Sequence, residues 1–308
     1  MTTLLASHSD CLAHQTPDGH PEQVARLTAV MAALEGLDLT RIEAPLAKDA
    51  HILRAHPQTH LDAIRAAAPS EGLVPLDADT WMSPGSLTAA LRAAGGVVAA
   101  VDQVMAGDAQ NAFVAMRPPG HHAEASTPMG FCLFGNIVIG ARHALEAHGL
   151  SRVAIVDFDV HHGNGTQDLV WDEPRILFAS THQSPLYPGT GHPHETGTHG
   201  NVLNVPLPAN AGGTAFRHAM ETLVLPAVDA FAPEMILISA GFDAHAEDPL
   251  ANLNLTEADF VWATASICDL AETHAQGRVV SVLEGGYNLD ALGRSAAAHV
   301  KTLMERST

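Results

Sequence analysis

The stretch "RVAIVDFDVHHGNGTQ", residues 152–167, begins as an apolar run and ends in ionisable side chains. Its first part, 153–158, is short, almost continuously apolar and rich in β-branched residues, as in a strand buried on both faces of a sheet. Asp157, Asp159 and His161 alternate at its end, and in an extended chain such positions point to the same side. The stretch therefore predicts a buried strand that carries a polar cluster at its carboxyl end.

Similar apolar runs recur at five further places. They span 112–116, 176–180, 202–207, 235–240 and 279–283. Segments with helical period occur near 21–34, 57–67, 85–106, 136–149, 213–230 and 256–274. Alternation of strands and helices is typical of a parallel sheet covered on both faces. Because no linker or internal repeat divides the 308 residues, we predict a single α/β domain, 1–308, built on an open, mostly parallel sheet flanked by helices.

Composition narrows the classes of function. The chain has 15 Lys and Arg against 34 Asp and Glu, a formal charge of −19, and so acidic a surface repels nucleic acid and attracts cationic ligands. No uncharged apolar stretch reaches 18 residues, so we expect no membrane span. Cys11, Cys132 and Cys268 are far apart and odd in number, which argues against disulfides and cysteine zinc sites. The N-terminal segment lacks a basic region followed by a long apolar one, so we expect no secretory signal and a cytoplasmic location.

Polar clusters follow four of the predicted strands. They are "RPPGHH" after 112–116, "DFDVHHGNG" at the end of 153–158, "GFDAH" after 235–240 and "EGGY" after 279–283. The carboxyl ends of parallel strands meet at one edge of an open sheet, where ligands bind. Any one of these clusters could be a solvated turn, but the four together predict one shared site.

Asp159 and His161 offer a carboxylate and an imidazole at one strand end, and Asp243 adds a carboxylate from another. Zn²⁺ binds such ligands, and a catalytic zinc site uses roughly three protein ligands and a water. The same donor set also suits Fe²⁺. A lone D-x-H is more often a strand-end salt bridge or cap, so this prediction depends on the neighbouring clusters.

His121 and His122 follow a Pro-Pro-Gly turn. Imidazole takes up and releases a proton near neutral pH, so either residue could activate a water and protonate a leaving group. The alternative is a pair of loop histidines that are only hydrogen-bonded. Asp157 and Asn164 are polar groups that could orient the two rings. Tyr287, on a glycine-containing turn, could donate a hydrogen bond to the oxyanion of an amide or ester.

The chain resembles the histone deacetylase superfamily, especially its class II members and the bacterial deacetylase-like amidohydrolases. The resemblance is carried by an ordered set of motifs: "RPPGHH", "GFC", "DFDVHHGNGTQ", "YPGTG", "NVPLP", "GFDAH", "EDPL" and "EGGYN". It runs from about residue 19 to the C-terminal helix. It implies the arginase/deacetylase fold and a zinc-dependent deacetylase that hydrolyses N-acetyl amides, such as acetyl-lysine or a similar acylated amine, to acetate and free amine.

The resemblance also implies a role for each candidate residue. Zinc would be bound by Asp159, His161 and Asp243. His122 would be the general base, and His121 would be its electrostatic or acid partner, held by Asp157. Asn164 stands where class I relatives carry Asp and class II relatives carry Asn as the partner of the base. Tyr287 would polarise the acyl carbonyl.

A structural potassium ion and a narrow acyl channel are further implications. Potassium would be bound, partly through backbone carbonyls, by Asp157, Asp159, His161 and Ser180. The channel would be lined by Gly130, Phe131, Tyr187, Leu250 and Asp79. Arg26 would line the interior cavity through which acetate leaves.

Other members of the superfamily set the alternatives. Binuclear arginase-like enzymes need acids where this chain has Gly163 and His245, so they fit poorly. Acetylpolyamine amidohydrolases share the machinery and would suit an acidic protein. Asp79 could be an amine-binding acid, a loop acid that holds a peptide backbone, or a plain loop acid. Polyamine-selective class II relatives, however, carry a glutamate where this chain has Leu250.

A non-catalytic, metal-dependent acyl-ligand binding protein is a further alternative. Such a protein would be expected to have lost the tyrosine, a histidine or a metal ligand, and none is substituted here. The predicted partner is therefore an acetylated small-molecule amine or an acetyl-lysine peptide or protein. We predict no nucleic-acid or membrane partner, and the sequence leaves a homo-oligomer open.

Overall fold

Ten strands occur in the computed structural model, which describes residues 2–307. In chain order they are β1 (Thr3–Ser7), β2 (Thr40–Glu43), β3 (Val74–Pro75), β4 (Trp81–Met82), β5 (Asn111–Val114), β6 (Val153–Asp157), β7 (Ile176–Gln183), β8 (Val202–Leu207), β9 (Met235–Ala240) and β10 (Val279–Leu283). The short β3 and β4 form an antiparallel hairpin, and the other eight form one parallel sheet. The six strands predicted from the sequence all belong to that sheet, and the predicted open α/β fold is confirmed.

Two strands of the parallel sheet, β1 and β2, were not predicted from the sequence, nor was the short hairpin of β3 and β4. Most of β2 is exposed, and as an edge strand it pairs only with β1, so it carries no apolar run. β1 is buried but spans only five residues at the start of the chain. Both strands are therefore recognised by their pairing, not by their own pattern.

Ten α-helices connect the strands in the described part of the chain. They are α1 (Val24–Ala33), α2 (Asp49–Ile52), α3 (Gln58–Ala67), α4 (Ser86–Ala106), α5 (Asn136–Ala147), α6 (Asn164–Val170), α7 (Gly213–Ala219), α8 (Leu225–Phe231), α9 (Glu257–His274) and α10 (Leu289–Glu305). A π-helical segment, Met220–Val224, joins α7 to α8, so the helix predicted near 213–230 is continuous with one π turn inside it. A 3₁₀ helix, Ser9–Ala13, follows β1.

The helices form two layers. α4 and α5 pack on each other, and α4 contacts β5 while α5 contacts β9. α1, α9 and α10 form a second group, in which α10 contacts β5 and α9 contacts β9. Since members of both groups contact the same two strands, the groups lie on opposite faces of the sheet. Helices on both faces explain why the central strands are buried throughout.

Among residues 2–307, α4 alone has the length and apolarity of a membrane-spanning helix. In this fold 61% of its most apolar 18-residue segment is buried. It packs against β1, β5, β10 and α5. Its composition is therefore accounted for by its position in the core.

Four adjacent strands carry the polar clusters. The sheet order is β2-β1-β5-β10-β9-β6-β7-β8, so the strands that precede these clusters, β5, β10, β9 and β6, are consecutive neighbours. Because they are parallel, their carboxyl ends lie at the same edge. The predicted common edge is confirmed, and it lies at the middle of the sheet.

Candidate active site

Asp159, His161 and Asp243 meet beyond the carboxyl ends of β6 and β9. The Nδ1 atom of His161 lies 3.2 Å from Asp159 Oδ1 and 3.2 Å from Asp243 Oδ2. In a tetrahedral zinc site with ligand bonds of about 2.0 to 2.2 Å, neighbouring ligand atoms are about 3.3 to 3.6 Å apart. The three side chains are buried, and the spacing of their donor atoms fits one divalent cation between them.

Backbone N–H groups orient both carboxylates. Asp159 accepts hydrogen bonds from the N–H of His161 at 2.9 Å and of Gly285 at 2.8 Å. Asp243 accepts one from the N–H of Val160 at 2.9 Å. Such contacts behind the ligand atoms limit the rotation of the carboxylates and preserve the geometry of the donor set.

Two glycines leave room for these carboxylates. A Cβ atom on Gly285 would collide with the carboxylate oxygens of Asp243 and Asp159, and one on Gly241 would collide with Asp159. The turns after β9 and β10 therefore approach the donor set too closely for any side chain. This close fit around the carboxylates explains a glycine in each of the motifs "GFDAH" and "EGGY".

The two acids repel each other in their buried setting. Burial, and then the charge of Asp159, raises the pKa of Asp243 to about 7. Burial would also raise the pKa of Asp159, but His121 and His161 outweigh it and lower that pKa. Buried carboxylates that share a site favour a cation between them, since uncompensated buried charge is costly.

A second group of possible ligands lies on the helices. Asp102 of α4 has its Oδ1 2.7 Å from the Nε2 atoms of both His143 and His148. That distance is typical of hydrogen bonds and shorter than the spacing around a metal ion. A metal bound at His143 Nε2 would leave a proton on Nδ1, which is buried without a hydrogen-bond partner. This group is better described as a set of hydrogen bonds that joins α4 to the end of α5.

His121 and His122 lie beside the donor set and have different partners. Their ring centroids are 4.0 Å apart. His121 Nδ1 lies 3.1 Å from Asp157 Oδ2, and His122 Nδ1 lies 2.7 Å from Asn164 Oδ1. The predicted pairing of each histidine with its own orienting group is thus present in the structure.

The surroundings give the two imidazoles different charges. Burial would lower the pKa of His121, but the carboxylates of Asp159 and Asp157 raise it to about 10. For His122, burial and the neighbouring His121 and His161 lower the pKa well below its usual value. At neutral pH a neutral imidazole therefore lies next to a charged one.

Tyr287 is held in the turn after β10. Its N–H donates a hydrogen bond to Asp248 Oδ2 at 2.7 Å, and its ring packs edge-on against Phe131 with centroids 5.9 Å apart. The guanidinium carbon of Arg26 lies 4.9 Å from the centre of the ring. Burial raises the pKa of the phenol, so the hydroxyl keeps the proton that a hydrogen-bond donor needs.

A cavity of about 250 Å³ connects these residues to the surface. It is lined by Asp79, His122, Gly130, Phe131, His161, Leu186, Tyr187, Leu250 and Tyr287. All of these except Leu186 are residues that the sequence analysis assigned to the site. The φ angle of Gly130 is +54°, and a Cβ there would lie 2.6 Å from His122 Cγ, so the channel wall touches the histidine directly.

A larger cavity, of about 640 Å³, lies between the end of β1, the 3₁₀ helix and α1. Its lining is mostly apolar and contains none of the predicted site residues. The larger cavity is therefore not where the site lies. We assign the site to the smaller cavity because it contains the titratable groups.

Comparison with known proteins agrees with this geometry. The family model "Histone deacetylase domain" matches residues 20–303. The chain belongs to the histone deacetylase family. It is 41% identical over 326 residues to "Histone deacetylase 14, chloroplastic" of Arabidopsis thaliana, covering 98% of this chain and 76% of that one. It is 41% identical over 278 residues to "Histone deacetylase-like amidohydrolase" of Pseudomonas aeruginosa, covering 88% and 73%.

The structural match is equally extensive. The solved structure of the HDA15 HD domain superposes with a TM-score of 0.94 at 34% identity, covering 99% of this chain and 88% of that one. The fold is therefore the arginase/deacetylase fold that the sequence predicted. The protein is a hydrolase of this family, of the deacetylase or amidohydrolase type.

Two of the four residues predicted to bind potassium lie on neighbouring strands of this deacetylase fold, and the other two, Asp159 and His161, follow the end of β6. Asp157 of β6 and Ser180 of β7 are directly paired in register. The hydroxyl of Ser180 is 3.0 Å from His182 Nδ1, and Asp157 Oδ1 accepts a hydrogen bond from the N–H of Asp159 at 3.0 Å. The two residues are therefore close together, and potassium binding stays a prediction.

Arg26 has contacts that the family resemblance did not suggest. Its guanidinium is fully buried and donates to Gly286 O at 2.6 Å, to Glu284 O and to Glu22 Oε1 at 2.9 Å. These bonds attach α1 to the turn that carries Tyr287. Arg26 therefore supports the turn, and its role in acetate release stays a prediction.

Sequence reasoning did not single out two acids that organise this site. Asp248 accepts hydrogen bonds from the N–H groups of Leu250 and Tyr287, at 3.0 and 2.7 Å, and so joins two loops of the channel. Glu284 is buried and accepts from the N–H of Gly120 at 2.7 Å. Both fall within quoted motifs, "EDPL" and "EGGYN", but only the fold reveals which N–H groups they accept from.

Proposed function

We propose that the protein is a zinc-dependent deacetylase that hydrolyses the N-acetyl amide of an amine, acetyl-lysine or a similar acylated amine, to acetate and the free amine. The main support is the spacing of Asp159, His161 and Asp243 around a common point, beside the neutral imidazole of His122 at the base of a narrow cavity. Belonging to a hydrolase family agrees with this proposal.

Asp159, His161 and Asp243 would hold the metal. A divalent cation there supplies Lewis-acid polarisation of the acyl carbonyl and acidifies the attacking water. Zinc is our choice because imidazole and carboxylate ligands in a three-residue set are typical of catalytic zinc sites, and Fe²⁺ is the alternative that the same ligands accept.

The remaining groups move protons and stabilise charge. His122, neutral at pH 7, accepts a proton from the attacking water through Nε2, because its Nδ1 is bonded to Asn164. Tyr287 donates its hydroxyl proton in a hydrogen bond to the carbonyl oxygen as negative charge develops there. When the C–N bond breaks, a protonated imidazole of the pair gives its proton to the leaving amine. His121 keeps its positive charge beside the carboxylates of Asp159 and Asp157.

The channel would select an acyl-amine with an unbranched chain. Phe131 and Tyr187 would contact its methylene groups. Gly130 has no side chain, so the channel wall contacts His122 directly. Asp157 and Ser180, with Asp159 and His161, would bind a structural potassium ion next to the metal. These assignments rest on family resemblance together with the positions of the residues.

An acetylpolyamine is the second candidate substrate. Apart from burial, the negative charges of Asp79, Asp77 and Glu124 raise the pKa of Tyr187, which indicates that acids surround this side of the channel. An acidic rim would attract a cationic amine. Leu250, at the position where polyamine-selective class II relatives carry glutamate, argues for acetyl-lysine instead.

A side-by-side assay tests the function and separates the substrates. We expect acetate release from an acetyl-lysine peptide, with a higher kcat/KM than for acetylated putrescine, cadaverine or spermidine. A reversed order would move the assignment to the polyamine class. If no acetylated amine releases acetate while the ligands still bind, the protein is a non-catalytic acyl-ligand binder.

Metal removal tests the donor set. After dialysis against a chelator, we expect loss of activity and a lower Tm, because two buried carboxylates would then repel each other without a cation. One equivalent of Zn²⁺ should restore both, and Fe²⁺ should be compared under anaerobic conditions. Full activity in protein shown to be metal-free would contradict the proposal.

A further inference from the structure

The orientation of the Asn164 amide controls what His122 can do. Asn164 Oδ1 lies 2.7 Å from His122 Nδ1. If the oxygen faces the ring, Nδ1 carries the proton and Nε2 has a free lone pair. If the amide were reversed, its NH₂ group would donate to Nδ1, and the proton of the neutral ring would move to Nε2. A base that must accept a proton at Nε2 would then be blocked.

An aspartate would not face this problem, because both of its oxygens accept. Asparagine has one accepting and one donating end, and the two orientations fit the same space. A chain with asparagine at this position therefore needs a further group that favours one orientation. The candidates are the side chains next to the other end of the amide.

Glu124 and Met129 are those side chains. Asn164 Nδ2 lies 2.8 Å from Glu124 Oε1 and 3.3 Å from Met129 Sδ. A carboxylate and a thioether sulfur can only accept hydrogen bonds, and the NH₂ group has two hydrogens to donate. The reversed amide would point its oxygen at two acceptors. The surroundings therefore allow one orientation, with Oδ1 facing His122.

We infer that Glu124 is a positioning residue, which fixes the amide of Asn164 and, through it, the Nδ1–H tautomer of His122. This inference rests on the proposed function, in which His122 is the base. Glu124 outweighs Met129 because a charged acceptor forms a much stronger hydrogen bond than sulfur does. Among the described residues, the Glu124 carboxylate has no hydrogen-bond donor other than Asn164.

The test compares Glu124→Met, which has a similar length but no carboxylate, with Glu124→Gln, whose amide oxygen can still accept from Asn164. For Glu124→Met we expect kcat to fall about ten- to hundredfold with little change in KM, since a misplaced proton disables the base without removing substrate contacts. Glu124→Gln should stay within about threefold of wild type, because the hydrogen bond is kept. Glu221→Met, which removes an exposed carboxylate before α8, is the matched control and should leave kcat unchanged.

The same substitution in Asn164→Asp protein distinguishes a loss of amide orientation from general damage to the site. In Asn164→Asp protein the partner accepts whichever way it faces, so adding Glu124→Met should cost no further activity. If Glu124→Met lowers kcat equally in both backgrounds, Glu124 acts in some other way and the inference is wrong. A Glu124→Met enzyme with wild-type kcat would also overturn it.

The tautomer can be read without turnover. In ¹⁵N-labelled protein, the ring nitrogens of His122 should show a protonated Nδ1 and an unprotonated Nε2 in wild type, and a shift of the proton toward Nε2 in Glu124→Met. If wild type shows a protonated Nδ1 but no deacetylase activity, the proposed function is wrong and the positioning role stands. Identical His122 spectra in both proteins would contradict the positioning role alone.

Discussion

His121 and His122 are neighbours in the chain but differ in what lies behind each ring. A carboxylate, Asp157, faces His121 and favours its charged form, whereas a neutral amide, Asn164, faces His122. Burial disfavours the charged form of both rings. At His121 the carboxylates of Asp159 and Asp157 outweigh burial, whereas at His122 the positive charges of His121 and His161 add to it. Two identical side chains can thus serve as a fixed positive charge and as a neutral base.

Tyr287 provides the sharpest test among single residues. Tyr287→Phe removes one hydroxyl and keeps the ring that packs on Phe131. We expect kcat to fall by about 10² to 10³, because a donor to the developing oxyanion is lost, with metal content unchanged. Steady-state kinetics together with metal analysis of the purified variant provide the measurement. Near-normal kcat would mean that the tyrosine does not contact the reacting carbonyl.

At the scale of elements, the turns after β9 and β10 form the back of the metal site. Gly241 and Gly285 allow these turns to reach the carboxylates of Asp159 and Asp243, and the N–H of Gly285 bonds to one of them. The turns therefore contribute backbone groups and free space instead of side chains. Arg26, from α1, donates hydrogen bonds to two backbone carbonyls of the second turn.

Gly285→Ala tests this arrangement. The added Cβ would push against carboxylates that backbone hydrogen bonds hold in place, so we expect metal affinity to fall about 10- to 100-fold. Competition with a chromophoric chelator measures the affinity. Gly212→Ala is the control, since a Cβ there meets nothing closer than 3.5 Å and should not change metal binding. Equal affinities for Gly285→Ala and wild type would show that the turn can move away at little cost.

At the scale of the whole molecule, several buried histidines make stability depend on pH. Burial is the largest cause that lowers the pKa values of His56, His60, His162, His182 and His299. His299 lies in the core, between the hydroxyls of Thr264 and Ser281 at 2.6 and 2.8 Å. Burial lowers its pKa to about 3. At these five positions the unfolded chain therefore binds protons more readily than the folded one on the acid side of neutrality.

His299→Gln measures the share of one such group. Between pH 7 and pH 5 the unfolded histidine, with a pKa of about 6.5, becomes protonated while the folded one stays neutral, which costs wild type about 2 kcal/mol of stability. The variant starts less stable at pH 7 but should lose about 2 kcal/mol less over that interval. Urea unfolding at both pH values provides the comparison, with the exposed His218→Gln as control. An equal loss in His299→Gln and wild type would rule out this source of acid sensitivity.

Local patterns in the sequence determined the central strands, most of the helices and the polar clusters. Apolar runs and helical period are properties of a few consecutive residues, so the strands that end in "DFDVHH" and "GFDAH" could be predicted without the fold. Family motifs then supplied a role for each of these residues, and the cavity that joins His122, His161 and Tyr287 agrees with them.

Only the tertiary structure decided how these pieces meet. The order β5-β10-β9-β6 makes neighbours of strands that are far apart in the chain, and the exposed β2 is defined by its pairing with β1. The acceptors behind the site, Asp248 behind Tyr287 and Glu124 behind Asn164, depend on distances between loops. Hydrogen bonds across dozens of residues leave no periodic trace in the sequence, because periodicity records burial along one element and not the partner it finds.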